Sequence, residues 1–158
     1  MEGSDILSSV FALLFIICLM YHSYTDYQSM LLYDNVNLFL ACVGLLRAYY
    51  FHFMIFAAQG ALALGGIMFL IYLASSGGMG EGDVKLATVL GLWLGVEQGL
   101  ACLLLAFIGG AAVGVILLLF KRVKNYQPLP FGPFLCFAAM LCYFWGANIL
   151  GWYWRCFV

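Results

Sequence analysis

Two acidic residues stand where a nearly charge-free chain can least tolerate them. Asp83 closes the run Gly78-Met79-Gly80-Glu81-Gly82-Asp83 and opens the apolar stretch Val84-Lys85-Leu86-Ala87-Thr88-Val89-Leu90. Asp26 follows the first apolar run, in His22-Ser23-Tyr24-Thr25-Asp26-Tyr27-Gln28. An Asp at a bilayer centre costs roughly 2.5–3.5 kcal/mol on insertion scales, so a carboxylate kept near lipid is a candidate for chemistry. Two carboxylates can share one water. Like charges a few ångströms apart cannot both ionise cheaply, so such a pair holds one proton between them. The neutral acid can then polarise a carbonyl while its ionised partner takes a proton from the attacking water. Which acid holds the proton belongs to the pair and is not written in the sequence.

Each charged residue also has a plainer reading. Asp83 could be a helix N-cap, where Asp satisfies orphan amides. A cap alone does not call for Gly77, Gly78, Gly80 and Gly82 together, whereas glycines let backbone approach a substrate closely. Asp26 could be a solvated loop acid. Asp34 competes with it, but stands directly before an apolar run and reads as a cap or turn residue. Asp26 is therefore the expected partner of Asp83. Glu81 reads as a loop charge that could attract a basic peptide. Lys85 lies two residues past Asp83, so on a helix the two do not face each other; it reads as an interfacial lysine.

The chain that must position these groups has 158 residues, 66% of them hydrophobic and 8% charged. Its mean hydropathy is +1.07. Soluble domains carry about 25% charged residues, so this chain cannot cover a water-facing surface and belongs in a lipid bilayer. A net charge of -1 leaves no basic stripe for nucleic acid. Spans of about 20 apolar residues are expected at 6–24, 36–50, 53–74, 84–96, 100–120 and 131–154. The expected fold class is an all-α membrane protein, a polytopic bundle of about six transmembrane helices in a single domain over 1–158. The second and fourth spans are short, which suits a wet vestibule at membrane depth.

With six helices, one side holds Lys85, Lys121, Arg122 and Lys124, and the other Arg47 and Arg155. The positive-inside rule then places the first set, with Asp26, Asp34, Glu81 and Asp83, in the cytoplasm. The N-terminus has neither the positive charge nor the small-residue cleavage site of a secretory signal, so the first span is expected to be retained. The aromatics Tyr49, Tyr50, Trp93, Trp145, Trp152, Tyr153 and Trp154 fit an interfacial belt. The six cysteines form no CxxC pair and read as small buried hydrophobes. His22 and His52 fall on opposite expected sides, so no metal site is expected. Pro128, Pro130 and Pro133 around Gly132 should resist a regular helix before the last span, as a re-entrant turn or a stiff junction.

Three separated features resemble the type IV prepilin peptidases, bacterial membrane aspartyl proteases that carry a Gly-x-Gly-Asp motif. GMGEGDVKLATVLGLWLG, 78–95, is close to the family's central signature. LPFGPFL, 129–135, resembles the segment opening its last helix. Asp26, with Asp34-Asn35 eight residues on, resembles the region of its first catalytic aspartate. The family usually shows a basic residue two on and a proline seven on; Gln28 and Tyr33 occupy those slots here. The resemblance implies Asp26 and Asp83 as catalytic acids, with Gly80, Gly82, Glu81, Lys85 and Asp34 in support. It implies no cofactor, and as substrate the N-terminus of a type IV prepilin or pseudopilin, cut after a leader Gly on the cytoplasmic side. Long family members also have a cytoplasmic CxxC insert and methylate the new N-terminus. No such insert is found here, so peptidase without methyltransferase activity is expected. The rival reading is a small transporter or scaffold whose acids line a proton path.

Overall fold

The computed structural model describes residues 2–75, 78–120 and 130–157. Five helices follow in order: α1 (Glu2–Ser29), α2 (Asp34–Tyr50), α3 (Met54–Ala74), α4 (Glu81–Leu119) and α5 (Gly132–Phe157). There is no strand among the described residues, as expected of backbone that must satisfy its own hydrogen bonds in lipid. Four helices, α1, α3, α4 and α5, are long and apolar enough to cross a membrane. The chain is a multi-pass, all-helical membrane protein.

The expected count of six separate spans is corrected in two places. α2 has 17 residues, about 26 Å of helix, just short of a hydrocarbon core of about 30 Å. The expected spans 84–96 and 100–120 are two helical segments that follow each other without a loop and together make up α4. Its helical geometry fails only at Gly95, where φ is 74° and ψ is -171°, a conformation open to glycine. The break turns the chain. Gly65 of α3 faces Thr88 and Gly60 faces Gly91, so the first segment of α4 runs against α3. Gly60 also faces Gly95 and Leu64 faces Gly99, so the second segment runs with α3.

Small residues make this packing possible. A Cβ on Gly60 would collide with the Gly91 carbonyl oxygen, and one on Gly91 with the Gly60 carbonyl. The two helices meet backbone to backbone there, as small-residue contacts allow in lipid. The short links at 30–33 and 51–53 make α1, α2 and α3 successive antiparallel neighbours. Each contains one residue in the left-handed region, Met30 (φ 52°) and His52 (φ 59°).

Buried side chains form one stripe per helix, while Ile6, Leu13, Ile17, Leu62 and Leu70 point outward, as lipid-facing residues do. A central layer is built on Trp93. Its ring lies 4.6 Å from Phe15 of α1 and 6.2 Å from Tyr143 of α5, centroid to centroid. Its Nε1 donates to the Leu40 carbonyl of α2 at 3.0 Å, and a Cβ on Gly44 would strike it. The expectation of Trp93 in an interfacial belt is therefore corrected: it is 3% exposed and holds four helices together. Tyr49, Tyr50, Trp145, Trp152 and Trp154 are exposed, as a belt requires. Arg47 donates to the Trp93 carbonyl at 3.1 Å and lies over the rings of Phe53, Trp93 and Tyr143. That carbonyl is two residues from the Gly95 break, so Arg47 satisfies backbone near the turn.

Cys18, Cys102, Cys136 and Cys142 are buried and Cys42 is exposed, which corrects its reading as a core residue. Gly77, Lys121, Arg122, Lys124, Pro128 and Leu129 lie outside the described residues.

Gly60→Leu should lower the unfolding free energy in detergent by about 1–3 kcal/mol or more, as overpacked backbone contacts do. Gly66→Ala, with nothing within 4 Å of the added Cβ, should leave the thermal midpoint unchanged. Equal midpoints for Gly60→Leu and the wild type would contradict the close α3–α4 approach.

Candidate active site

The sequence 22–29 is polar, yet α1 continues through it to Ser29. Asp26 is therefore not a solvated loop acid, as its plainer reading had it. It sits one turn from the helix end and is 6% exposed. Its Oδ2 accepts a hydrogen bond from the backbone N–H of Gly132 at 2.9 Å. Gly132 is the first residue of α5, so this N–H is one that no earlier turn can satisfy. The positive end of the helix dipole also favours a carboxylate there. A Cβ at Gly132 would lie 2.6 Å from Asp26 Oδ2, so only glycine admits the contact. Pro133 occupies the first turn of α5, where a missing N–H costs nothing. Of the two readings of the Pro-rich stretch, the described part is the junction into a helix.

Asp83 is 8% exposed and comes from the start of α4. It is not the N-cap, as its plainer reading had it. Gly80 holds that place, without a side-chain cap bond, and Asp83 is the third helical residue. Its carboxylate turns back toward the Gly80 amide, and a Cβ on Gly80 would be 3.5 Å from Asp83 Oδ2. Gly82 receives Leu32 of the α1–α2 link; a Cβ there would be 3.0 Å from the Leu32 Cβ. Asp26 and Asp83 lie close enough to interact electrostatically.

Asp34 is not a helix cap either. Tyr33 takes the N-cap position and Asp34 is in the first turn of α2. Both Asp34 oxygens accept from Lys85 Nζ, at 3.0 and 2.9 Å. Lys85 also reaches Glu81 at 3.5 Å, one turn back on α4. Lys85 thus ties the start of α2 to the start of α4, rather than lying alone at the interface. All seven residues singled out from the sequence, Asp26, Asp34, Gly80, Glu81, Gly82, Asp83 and Lys85, line one cavity of about 330 Å³. Met30, Leu31 and Leu32 complete its wall. Four carboxylates face one amine, so the cavity suits a basic ligand and the chemistry of a shared water. Among the described residues no group of three or more His, Cys, Asp or Glu is placed to hold a metal.

Three residues near the cavity escape a reading based on acids and glycines. Gly132 was visible only as part of PFGPF. His22 and Asn37 are buried polar residues, one turn from Asp26 and Asp34; their signal is that spacing.

The described residues thus form a polytopic helical membrane protein with two buried carboxylates lining one cavity. Residues 13–115 match the model of the type IV leader peptidase family, and the chain belongs to that family. It is 36% identical over 138 residues to a prepilin leader peptidase/N-methyltransferase of Aeromonas hydrophila, covering 83% of this chain and 48% of the relative. With the protein of the same name from Legionella pneumophila it shares 36% over 151 residues, 91% of this chain and 53% of the relative. A Bacillus subtilis relative, also so named, is 37% identical over 93 residues, 58% of this chain and 38% of its own. The chain spans about half the length of the first two. No solved structure matches. The matched residues include Asp26 and Asp83 and stop short of Gly132.

Gly132→Ala should push the Asp26 carboxylate off the α5 terminus and lower the detergent unfolding free energy by about 1–3 kcal/mol. An unchanged thermal midpoint would contradict the Gly132–Asp26 contact.

Proposed function

We propose that this protein is an aspartic endopeptidase that removes the leader of type IV prepilin-like substrates on the cytoplasmic side of the inner or cytoplasmic membrane. The carrying observation is that two buried carboxylates on different helices, Asp26 and Asp83, line one cavity at helix ends. One water sits between them. The ionised acid takes its proton while the oxygen bonds to the scissile carbonyl carbon. The neutral acid hydrogen-bonds the carbonyl oxygen as negative charge develops there. Collapse breaks the C–N bond, and a proton returns to the leaving amine.

The surroundings support this division of labour. Gly132 orients Asp26 through its amide, and the Gly80 turn orients Asp83. Lys85 holds the cavity rim closed on Asp34, so Asp34 is a supporting residue. Gly80 leaves room for an extended peptide beside Asp83, while Gly82 admits Leu32 into the cavity wall. The remaining acidic excess favours a basic leader, and the apolar helix after the cut rests in lipid beside the bundle. The second activity in the relatives' names, N-methyltransfer, is said of those proteins and forms no part of this proposal.

Co-expression with a type IV prepilin, scored by leader removal, tests the reading. Asp26→Asn and Asp83→Asn should each reduce cleavage by at least about 100-fold, the scale of acid–base catalysis. Asp34→Asn should remain active. Well-expressed wild type that cuts no prepilin would favour a proton path through the same acids. A dead Asp34→Asn with an active Asp26→Asn would move the pair to Asp34 and Asp83. Cleavage of a basic-leader substrate should slow as salt rises from about 0.01 to 0.1 M, which shortens the Debye length from about 30 to about 10 Å. A salt-independent rate would remove the acidic attraction.

A further inference from the structure

The site leaves two buried polar side chains without a role. His22 of α1 is fully buried, and neither ring nitrogen has a hydrogen-bond partner among the described residues. Asn37 of α2 is 8% exposed, and its Oδ1 is likewise unpartnered. An unsatisfied buried polar group costs about 1–3 kcal/mol, so two in a lipid-enclosed bundle call for a ligand.

Helix register places them together. Phe15, Gly44 and Tyr143 all meet Trp93. Two helical turns, seven residues or about 10.5 Å, return each helix to nearly the same face. Stepping two turns toward the acids leads from Phe15 to His22, from Gly44 to Asn37, from Trp93 to Leu86 and from Tyr143 to Cys136. All four are buried. Cys136 lies one turn past Gly132, whose N–H donates to Asp26, so this layer adjoins the acids. One further turn reaches Asp26 and Asp83. Side chains on α1 lean toward its N-terminus, so Asp26 leans over the His22 turn. Gly132 holds Asp26 through Oδ2.

We propose that His22 and Asn37 form a buried water site directly beneath the Asp26–Asp83 pair. A neutral imidazole offers one donor and one acceptor, and the Asn37 amide adds an acceptor at Oδ1. These supply the two to four polar partners that a buried water needs. A water held there reaches Asp26 Oδ1 from the membrane side and replaces the water consumed at each cut. His22 and Asn37 are positioning residues; neither meets the substrate.

The kinetic arm of the test rests on the peptidase reading, and the spectroscopic arm does not. The chain has two histidines, so His52→Asn leaves His22 as the only imidazole. Asn tolerates the positive φ of that position. Water-edited solid-state NMR on this variant, 15N-labelled at histidine and tryptophan in bilayers, should show water-proton transfer to a His22 ring nitrogen. Trp93 Nε1, already bonded to Leu40, should show none. Absence of the His22 transfer overturns the proposal whatever the protein cleaves. In the cleavage assay, His22→Leu and Asn37→Leu should lower kcat at least 10-fold, leave KM within 2-fold and not lower the thermal midpoint. His22→Gln and Asn37→Ser should recover part of the loss. A kcat within 2-fold of wild type in both leucine variants overturns the proposal. So does a parallel loss of stability and rate that the polar variants do not restore. If wild type itself cleaves nothing, the peptidase reading fails and the NMR arm alone decides the water site.

Discussion

The hydrogen bond from the Gly132 amide to Asp26 Oδ2 is the contact on which the site depends. A buried carboxylate needs a donor or a counter-charge, and Lys85, which lines the same cavity, is already engaged by Asp34 and Glu81. The donor comes instead from the open end of a helix, where an N–H has no partner and the dipole favours an anion. Because the approach is so close, the residue must be glycine. One bond thereby joins the end of α1 to the start of α5 and fixes which way Asp26 points.

Asp83 is positioned by different means. Its helix segment is clamped along α3 by glycines at 60 and 91 that let backbone meet backbone. At the far end the chain turns at Gly95, beside a carbonyl held by Arg47. At the near end Leu32 packs on Gly82, and Lys85 reaches across to Asp34. Between these ends Trp93 gathers α1, α2 and α5 around α4. Packing deep in the bundle and an exposed ion pair at its mouth thus act on the same short turn. The packing does most of the holding, since an exposed ion pair contributes about 0–1 kcal/mol.

Much of this was legible. The membrane class followed from composition, and the Gly-x-Gly-Asp run marked Asp83. Asp26 was preferred to Asp34 as the partner of Asp83; of the two, Asp26 is the buried one, while Asp34 is exposed and engaged by Lys85. The errors share a cause. Hydropathy stops a helix where apolar residues stop, yet backbone near lipid keeps its hydrogen bonds, so α1 ran on through 22–29. The division of α4 into two segments was legible, but hydropathy put a loop at 97–99 where the chain in fact turns at Gly95 without one. Trp93 looked interfacial because it lay near a segment end that does not exist as a free end. The partner of Lys85 was not legible because Asp34 is 51 residues away.

The amino-acid sequence by itself determined that the chain enters lipid, that it does so as helices, and which few charges could do chemistry there. Those properties follow from transfer energies and from short-range spacing, both of which are local. Only the tertiary structure decided that Gly132 holds Asp26, that α4 folds back along α3, and that seven separated residues enclose one cavity. Those outcomes turn on how closely distant backbones approach, and close approach depends on the absence of side chains at particular crossing points. Hydropathy registers a glycine there no differently from any other small residue.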